Sequence, residues 1–224
     1  MGLMSYWGRC SGGVDFFVVP LKMQLKLLLA VLLSLFATSC TTMSDQPGAV
    51  KGSKIESDKS YELEIGKYSA GEAEYNGFYN NFIYKATLHN SEIRSNLLQR
   101  QNEYYKWDHS KLLSEADKME KEAAIQTNIF LSFYTPDRNN DNLADTKTIW
   151  KIYLEVGGQR YEGKAKKLRW LIAEIQALYP YHTRWNTPYL LSFQVPMSTI
   201  EGQDMTLMLT GPLGTRSVQF PGKK

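Results

Sequence analysis

The sequence predicts a mainly β domain, arranged as an antiparallel β-sandwich with a helical insertion and one short helix. About eight short segments are rich in β-branched and aromatic residues and have turn signals between them. The strands do not alternate regularly with helices, which argues against a parallel sheet. One long charged segment, 91–124, has helical spacing instead. A small β-barrel is the alternative architecture.

The first two strands are predicted at 61–68 and 81–89. In the segment YELEIGKY, Tyr61, Leu63 and Ile65 alternate with polar residues, which is typical of a half-buried strand. The segment NFIYKATLH is rich in strand-forming residues and carries few charges. Both segments are therefore assigned to the sheet.

The segment 91–124 lacks Gly and Pro and predicts two helices that break near Trp107 and Asp108. The Asp108 carboxylate can accept the free backbone amides that begin the second helix. Two apolar stripes at helical spacing support this assignment: Ile93, Leu97 and Tyr104, then Leu112, Leu113, Ala116, Met119 and Ala123. These helices are expected to cover an open edge or end of the sheet.

The remaining segments return to strand patterns. Gly157 and Gly158 predict a tight hairpin turn, because both turn positions can need a positive φ. A short helix is predicted at 169–178, ahead of Pro180. This pattern favours an immunoglobulin-like sandwich, although the chain has no cysteine pair of that fold. The further strands are predicted at 127–136, 148–156, 159–168, 188–196, 205–211 and 215–220.

The N-terminal region carries an apolar run, 27–37. A helix needs ~20 apolar residues to span a bilayer, so this run is too short to do so. Lys22 and Lys26 precede it, as in a secretory signal. The following Ala37-Thr38-Ser39-Cys40 resembles the lipobox of bacterial lipoproteins, with Ala37 where that family prefers Leu. The resemblance implies cleavage before Cys40 and acylation of its thiol.

The predicted organisation follows from that cleavage site. Residues 1–39 are a signal peptide whose true start is Met23 in one interpretation, 40–60 are the lipidated cysteine and a flexible tether, and 61–224 are the β domain. The lipoprotein resemblance implies a membrane partner through acylated Cys40. Thr41, rather than Asp, implies transfer to the outer membrane. The mature chain then keeps one cysteine, so no disulfide forms within it.

The segment DRNNDNLAD resembles the calcium-binding loops of EF-hand, dockerin and thrombospondin-type repeats. Oxygen-bearing side chains occupy positions 1, 3, 5 and 9, namely Asp137, Asn139, Asp141 and Asp145. Asn142 replaces the usual Gly, and Thr148 replaces the bidentate Glu. The alternative is an acidic hairpin loop whose side chains bond their own backbone.

Two further segments are candidate contact surfaces. The basic run 164–169, KAKKLR, could meet phosphate groups, or its lysines could discourage pairing at a strand edge. The segment 179–189 is dense in aromatic residues and carries Arg184. Aromatic residues and arginine are the side chains that most often anchor protein–protein interfaces. The predicted partner-binding residues of this segment are Tyr181, His182, Arg184 and Trp185.

No catalytic motif is present in the sequence. The three histidines have no zinc-ligand spacing, and no nucleophile elbow or phosphate loop appears. A net charge of +3 does not suggest nucleic acid. The sequence therefore predicts an envelope lipoprotein that is not an enzyme and that binds an envelope protein or a surface polymer without cofactor. Calcium-dependent binding of a ligand or glycan is the alternative, followed by a hydrolase.

Overall fold

The computed structural model describes residues 53–222, all of which belong to one compact unit, Gly52–Lys224. The predicted signal peptide, Cys40 and the first part of the predicted tether lie outside the described residues. The elements, in chain order, are α1 Ser53–Lys67, β1 Ser69–Asn76, β2 Tyr79–Leu88, α2 Ser91–Tyr105, α3 His109–Ala123, β3 Thr127–Tyr134, a 3-10 turn Arg138–Asn140, β4 Lys151–Val156, β5 Gln159–Lys167, α4 Ile172–Leu178, β6 Thr187–Phe193, α5 Met197–Ile200, β7 Met205–Gly211 and β8 Gly214–Phe220.

These strands form one antiparallel sheet in the order β1-β2-β3-β6-β5-β4-β7-β8. Strand β5 joins its two halves, because residues 159–162 pair with β4 while residues 163–167 pair with β6. Gly163 stands at this change of partner, and a Cβ atom there would lie 2.5 Å from a ring carbon of Phe193. The sheet therefore bends where a side chain has no room.

The first and last strands of the sheet approach each other. The Arg216 guanidinium on β8 donates from Nε to the Ala73 carbonyl on β1 at 3.2 Å and forms an ion pair with Glu74 at 2.7 Å. The sheet is thus nearly closed into a barrel. Its interior is the larger hydrophobic cluster, to which β2, β3, β4, β6, β7 and β8 all contribute buried side chains.

A second hydrophobic cluster lies on the outer face of β3. There α1, α2 and α4 pack over Phe130, whose ring stacks on Tyr179 with a centroid distance of 3.6 Å. The Tyr61 hydroxyl of α1 donates to the Leu178 carbonyl of α4 at 2.8 Å. Among the described residues, both clusters draw on residues 61–220, all of which belong to the unit Gly52–Lys224.

Local sequence signals explain the helix and turn boundaries. The Asn90 side chain accepts the Ile93 amide at 2.8 Å, and the Asp108 side chain accepts the Lys111 amide at 2.7 Å, so each caps the helix that follows. Gly157 and Gly158 adopt positive φ values of 56° and 81° in the β4–β5 hairpin. The predicted helical insertion, its break and the glycine turn are confirmed.

The structure corrects part of the predicted fold. The mainly antiparallel β character is confirmed and the small-barrel alternative fits the sheet, whereas the immunoglobulin-like sandwich is not confirmed. The predicted strand at 61–68 is wrong, because residues 53–67 form helix α1. Tyr61 and Ile65 are buried one helical turn apart, while Leu63 between them is 71% exposed. The short helix begins at Ile172 rather than at residue 169.

Candidate ligand-binding cleft

A cleft of about 580 Å³ lies between the helical insertion and the outer face of the sheet. Helices α2 and α3 form one wall, and the connection from β5 into α4 forms the other. Its floor includes Leu190 of β6 and Lys166 of β5, which are direct partners in the β5–β6 ladder. The cleft therefore forms where four segments that are distant in the chain, near residues 97, 119, 166 and 190, come together in the fold.

Apolar side chains line much of the cleft. Leu97 of α2 and Leu178 of α4 are buried members of the second hydrophobic cluster, and Met119 of α3 is half-buried beside them. Trp170 lies exposed in the lining. Most of the predicted apolar stripe of α3 is not covered by the core, since Ala123 is the one residue of that helix that is buried.

The β5 side of the cleft carries positive charge from the predicted basic run. Lys166, Lys167 and Arg169 line it. Among the residues that the structure describes, none forms an ion pair or a side-chain hydrogen bond with these three cations. Residues 163–167 pair with β6 on one side only. The alternative role of these lysines, which is to discourage pairing at that strand edge, also stays a prediction.

The charges on the helical wall are largely balanced locally. Arg94 forms an ion pair with Glu120 at 3.2 Å and donates to the His89 carbonyl at 3.1 Å. Glu115 accepts from Lys111 at 2.6 Å. Positive charge without a partner is therefore concentrated on the β5 side of the cleft.

The inner end of the cleft is electrically neutral at pH 7. His89 Nε2 lies 2.8 Å from the Tyr179 hydroxyl, and the two rings stack. Burial, with a smaller effect of Arg94, lowers the pKa of His89 to about 4. Burial also raises the pKa of Tyr179 well above its ordinary value. Neither group gains or loses a proton near neutral pH, so this pair does not have the pKa values that acid–base catalysis requires.

The predicted partner-binding residues divide into two sets. Tyr181 packs against Phe130 and its hydroxyl lies 2.6 Å from that of Thr87, while His182 is only 2% exposed. Arg184 and Trp185 are exposed, and Trp185 borders a second, open depression. Arg184 and Trp185 are therefore the exposed members of the set, and partner binding by the four residues stays a prediction.

His182 forms a buried pair that resembles part of a catalytic dyad. Its Nδ1 lies 2.8 Å from Ser132 Oγ, and Asn186 Nδ2 donates to the same hydroxyl at 2.9 Å. Ser132 is fully buried, and burial lowers the pKa of His182 to about 4. A substrate has no access to this hydroxyl, so the pair is a structural contact under the 179–186 segment.

Three of the four predicted calcium ligands, Asp137, Asp141 and Asp145, bond protein groups. Asp137 accepts the Asn139 amide at 3.0 Å, and Asp145 accepts the Lys147 amide at 2.9 Å. Asp141 is 8% exposed and accepts from Thr187 Oγ1 at 2.6 Å and from Arg138 at 3.1 Å. Within residues 53–222, no group of three or more His, Cys, Asp or Glu side chains is arranged to hold a metal ion. The bonds of Asp137 and Asp145 to nearby backbone amides match the alternative of a self-bonded loop, and calcium binding stays a prediction.

Comparisons with known proteins leave the function to the geometry. No family model, curated protein or solved structure matches this chain. In the part of the chain that the structure describes, no helix has the length and apolar character needed to cross a membrane. The cleft is therefore the feature from which a function is argued.

Two surfaces were not singled out from the sequence. The cleft depends on contacts between distant segments, and its local signals were the α3 stripe and, some 40 residues later, the basic run 164–169 that Trp170 follows. The second surface is the β1–β2 turn, where Tyr75, Phe78 and Tyr79 are exposed around Gly77, whose φ is 61°. The dipeptide Asn76-Gly77 is a strong hairpin signal that could have located this turn.

Proposed function

We propose that this chain is a lipid-anchored protein of the bacterial cell envelope whose β domain binds a ligand without converting it. The observation that carries the binding function is the cleft of about 580 Å³. Sites for small molecules commonly occupy about 300–1,000 Å³, with mostly apolar walls and a few polar groups. The apolar lining from α2, α3 and α4, with cations on one side, has this composition.

The non-catalytic character is supported by the state of the titratable groups near the cleft. His89 and Tyr179 are both neutral at pH 7 and bonded to each other. Ser132 and His182 are both buried, so a substrate has no access to the hydroxyl that they share. A general acid or base works best when its pKa lies near the operating pH, and neither histidine meets that condition.

The anchor is proposed at Cys40, and the outer membrane is its proposed location because Thr41 follows. Three acyl chains, as in the lipoproteins that the motif resembles, would give stable attachment, since two or more chains exceed the marginal binding of one. The domain would then work at the envelope, on the end of a tether that reaches from Cys40 toward helix α1.

Substituting Cys40→Ser is expected to abolish acylation and to release the protein from the outer-membrane fraction. The native protein should begin at Cys40 and carry acyl mass at its N-terminus, as read by mass spectrometry. Cys10→Ser is the matched control, because Cys10 precedes the proposed cleavage site. An unmodified Cys40 within an intact N-terminus would refute the anchor.

The binding function is tested by ligand extraction. The unit Gly52–Lys224, which contains both hydrophobic clusters, is incubated with an envelope extract, repurified and analysed by mass spectrometry for small molecules. We expect a bound species whose mass equals that in the extract, because the domain does not convert it. Met119→Trp, which places a larger side chain in the cleft, should remove most of this species with little change in melting temperature. Retention of the species by the variant, or conversion of its mass, would contradict the proposal.

A further inference from the structure

The distribution of charge in the cleft is uneven. Lys166, Lys167 and Arg169 place three cations within four positions of the chain, where β5 leads into the connection to α4. Within the described residues these cations have no ionic or side-chain partner, unlike Arg94 on the opposite wall. Cations left unpaired at one side of a concave site attract an anionic group, and the low-dielectric walls strengthen that attraction.

The remainder of the cleft suits hydrocarbon. Leu97, Leu178, Met119 and Leu190 come from three helices and a strand and line the same space. Moving methylene groups from water into such a space is favourable in proportion to the apolar area removed from water. An extended hydrocarbon chain would therefore be stabilised along this lining, which a compact polar ligand would not.

The acidic residues of the lining lie on helix α3, away from the basic run in the chain. Glu115 is bonded to Lys111 at 2.6 Å, and Glu122 is exposed. The helical wall thus offers no comparable attraction for an anion. A ligand with one anionic end and one apolar chain matches both parts of the site, and a concave cleft excludes the flat surface of a bilayer.

We propose that the cleft binds a single-chain anionic amphiphile. Its carboxylate or phosphate lies against Lys166 and Arg169, and its hydrocarbon chain lies between α2, α3 and the outer face of β6. The Lys167 side chain leaves β5 on the opposite face, as does its partner Tyr189. This inference rests on the proposed binding function and names its ligand class. A free fatty acid and a lysophospholipid share this chemistry, and the titration below separates them.

The test is calorimetric titration of the unit Gly52–Lys224 with three probes below their critical micelle concentrations. The probes are myristate, myristoyl lysophosphatidylglycerol and neutral monomyristoylglycerol, which share one acyl chain. We expect at least one anionic probe to bind about tenfold or more tighter than the neutral one, with the difference shrinking as salt rises. The tighter of the two anionic probes identifies a carboxylate or a phosphate as the preferred headgroup.

Charge reversal assigns the headgroup position. The double variant Lys166→Glu/Arg169→Glu is expected to weaken the preferred anionic probe at least tenfold while leaving the neutral probe within about twofold. The matched control is Lys59→Glu/Lys147→Glu, which makes the same charge change at two exposed lysines outside the cleft. We expect the control to bind all three probes as the wild type does.

Three results would overturn the inference. They are equal affinity for the neutral and anionic probes, an unchanged affinity in the cleft variant, and an absence of heat with all three probes. If no probe binds while extraction still yields a species that Met119→Trp removes, the ligand class is wrong and the binding function stands. If extraction also fails, both are wrong.

Discussion

Acidification from pH 7 to pH 4 is expected to lower the free energy of unfolding by several kcal/mol through His89 and His182. Burial lowers the pKa of each ring to about 4, from an ordinary value of 6.5. Below pH 6.5 the unfolded state therefore binds protons that the folded state does not. Stability is present above pH 6.5 and is lost as the pH falls toward 4. Each histidine contributes about 3 kcal/mol over this range.

The surroundings of the two rings explain why neither accepts a proton readily. His89 faces the Tyr179 hydroxyl, and the nearby Arg94 adds like charge. His182 faces the Ser132 hydroxyl and the ring of Phe130. No carboxylate among the described residues pairs with either ring to stabilise its charged form.

Urea unfolding of the unit Gly52–Lys224 at intervals between pH 7 and pH 5 measures this effect before most carboxylates titrate. His89→Gln and His182→Asn should each remove about half of the slope of stability against pH, whatever they do to stability itself. His109, which is exposed at the start of α3, is the control site, and His109→Gln should leave the slope unchanged. A flat profile for the wild type would show that the folded and unfolded states protonate these two rings at the same pH.

Gly163→Val is expected to destabilise the domain by about 3 kcal/mol, at the upper end of the range for overpacking. A Cβ atom at Gly163 would lie 2.5 Å from Cε1 of Phe193, and that ring is fully buried in the main cluster. The expected loss therefore comes from steric overlap at the bend of β5.

Urea unfolding again provides the measurement, with Gly66→Ala as the matched control. Gly66 lies in α1, and no neighbouring atom lies within 4 Å of the position that a Cβ atom would take there, so that change should stabilise the helix by about 0.5–1 kcal/mol. Combining Gly163→Val with Phe193→Leu should lose less stability than the sum of the two, since the smaller side chain relieves the overlap. If the losses of the two single variants added, the destabilisation by Gly163→Val would not come from overlap with the Phe193 ring.

Local patterns predicted the elements that local interactions decide. The alternation in 205–211, the Gly157-Gly158 turn and the Asp108 cap each depend on neighbours within a few residues. The segment 61–68 could not be assigned in this way, because spacings of two and four residues both fit a short window. Burial against α4, including the Tyr61 bond to Leu178, decides for the helix.

Contacts between distant segments account for the rest. Strand β1, with the sequence SAGEAEYN, has a weak strand pattern of its own and is defined by its ladder with β2. The oxygen spacing of the acidic loop was visible in the sequence, but the use of Asp141 by Thr187, 46 residues away, was not. Likewise, the basic run was recognised, whereas the apolar cleft beside it required the fold.

The contact of Arg216 with β1 has a consequence for self-association. Exposed sheet edges recruit strands from other molecules through their free carbonyl and amide groups, and inward-facing charges are one means of preventing this. The Arg216 side chain donates a hydrogen bond to the Ala73 carbonyl, which an incoming strand would need as an acceptor. A charged side chain would have to be displaced before another copy could add. The domain should therefore resist the edge-to-edge association to which an open eight-stranded sheet is exposed.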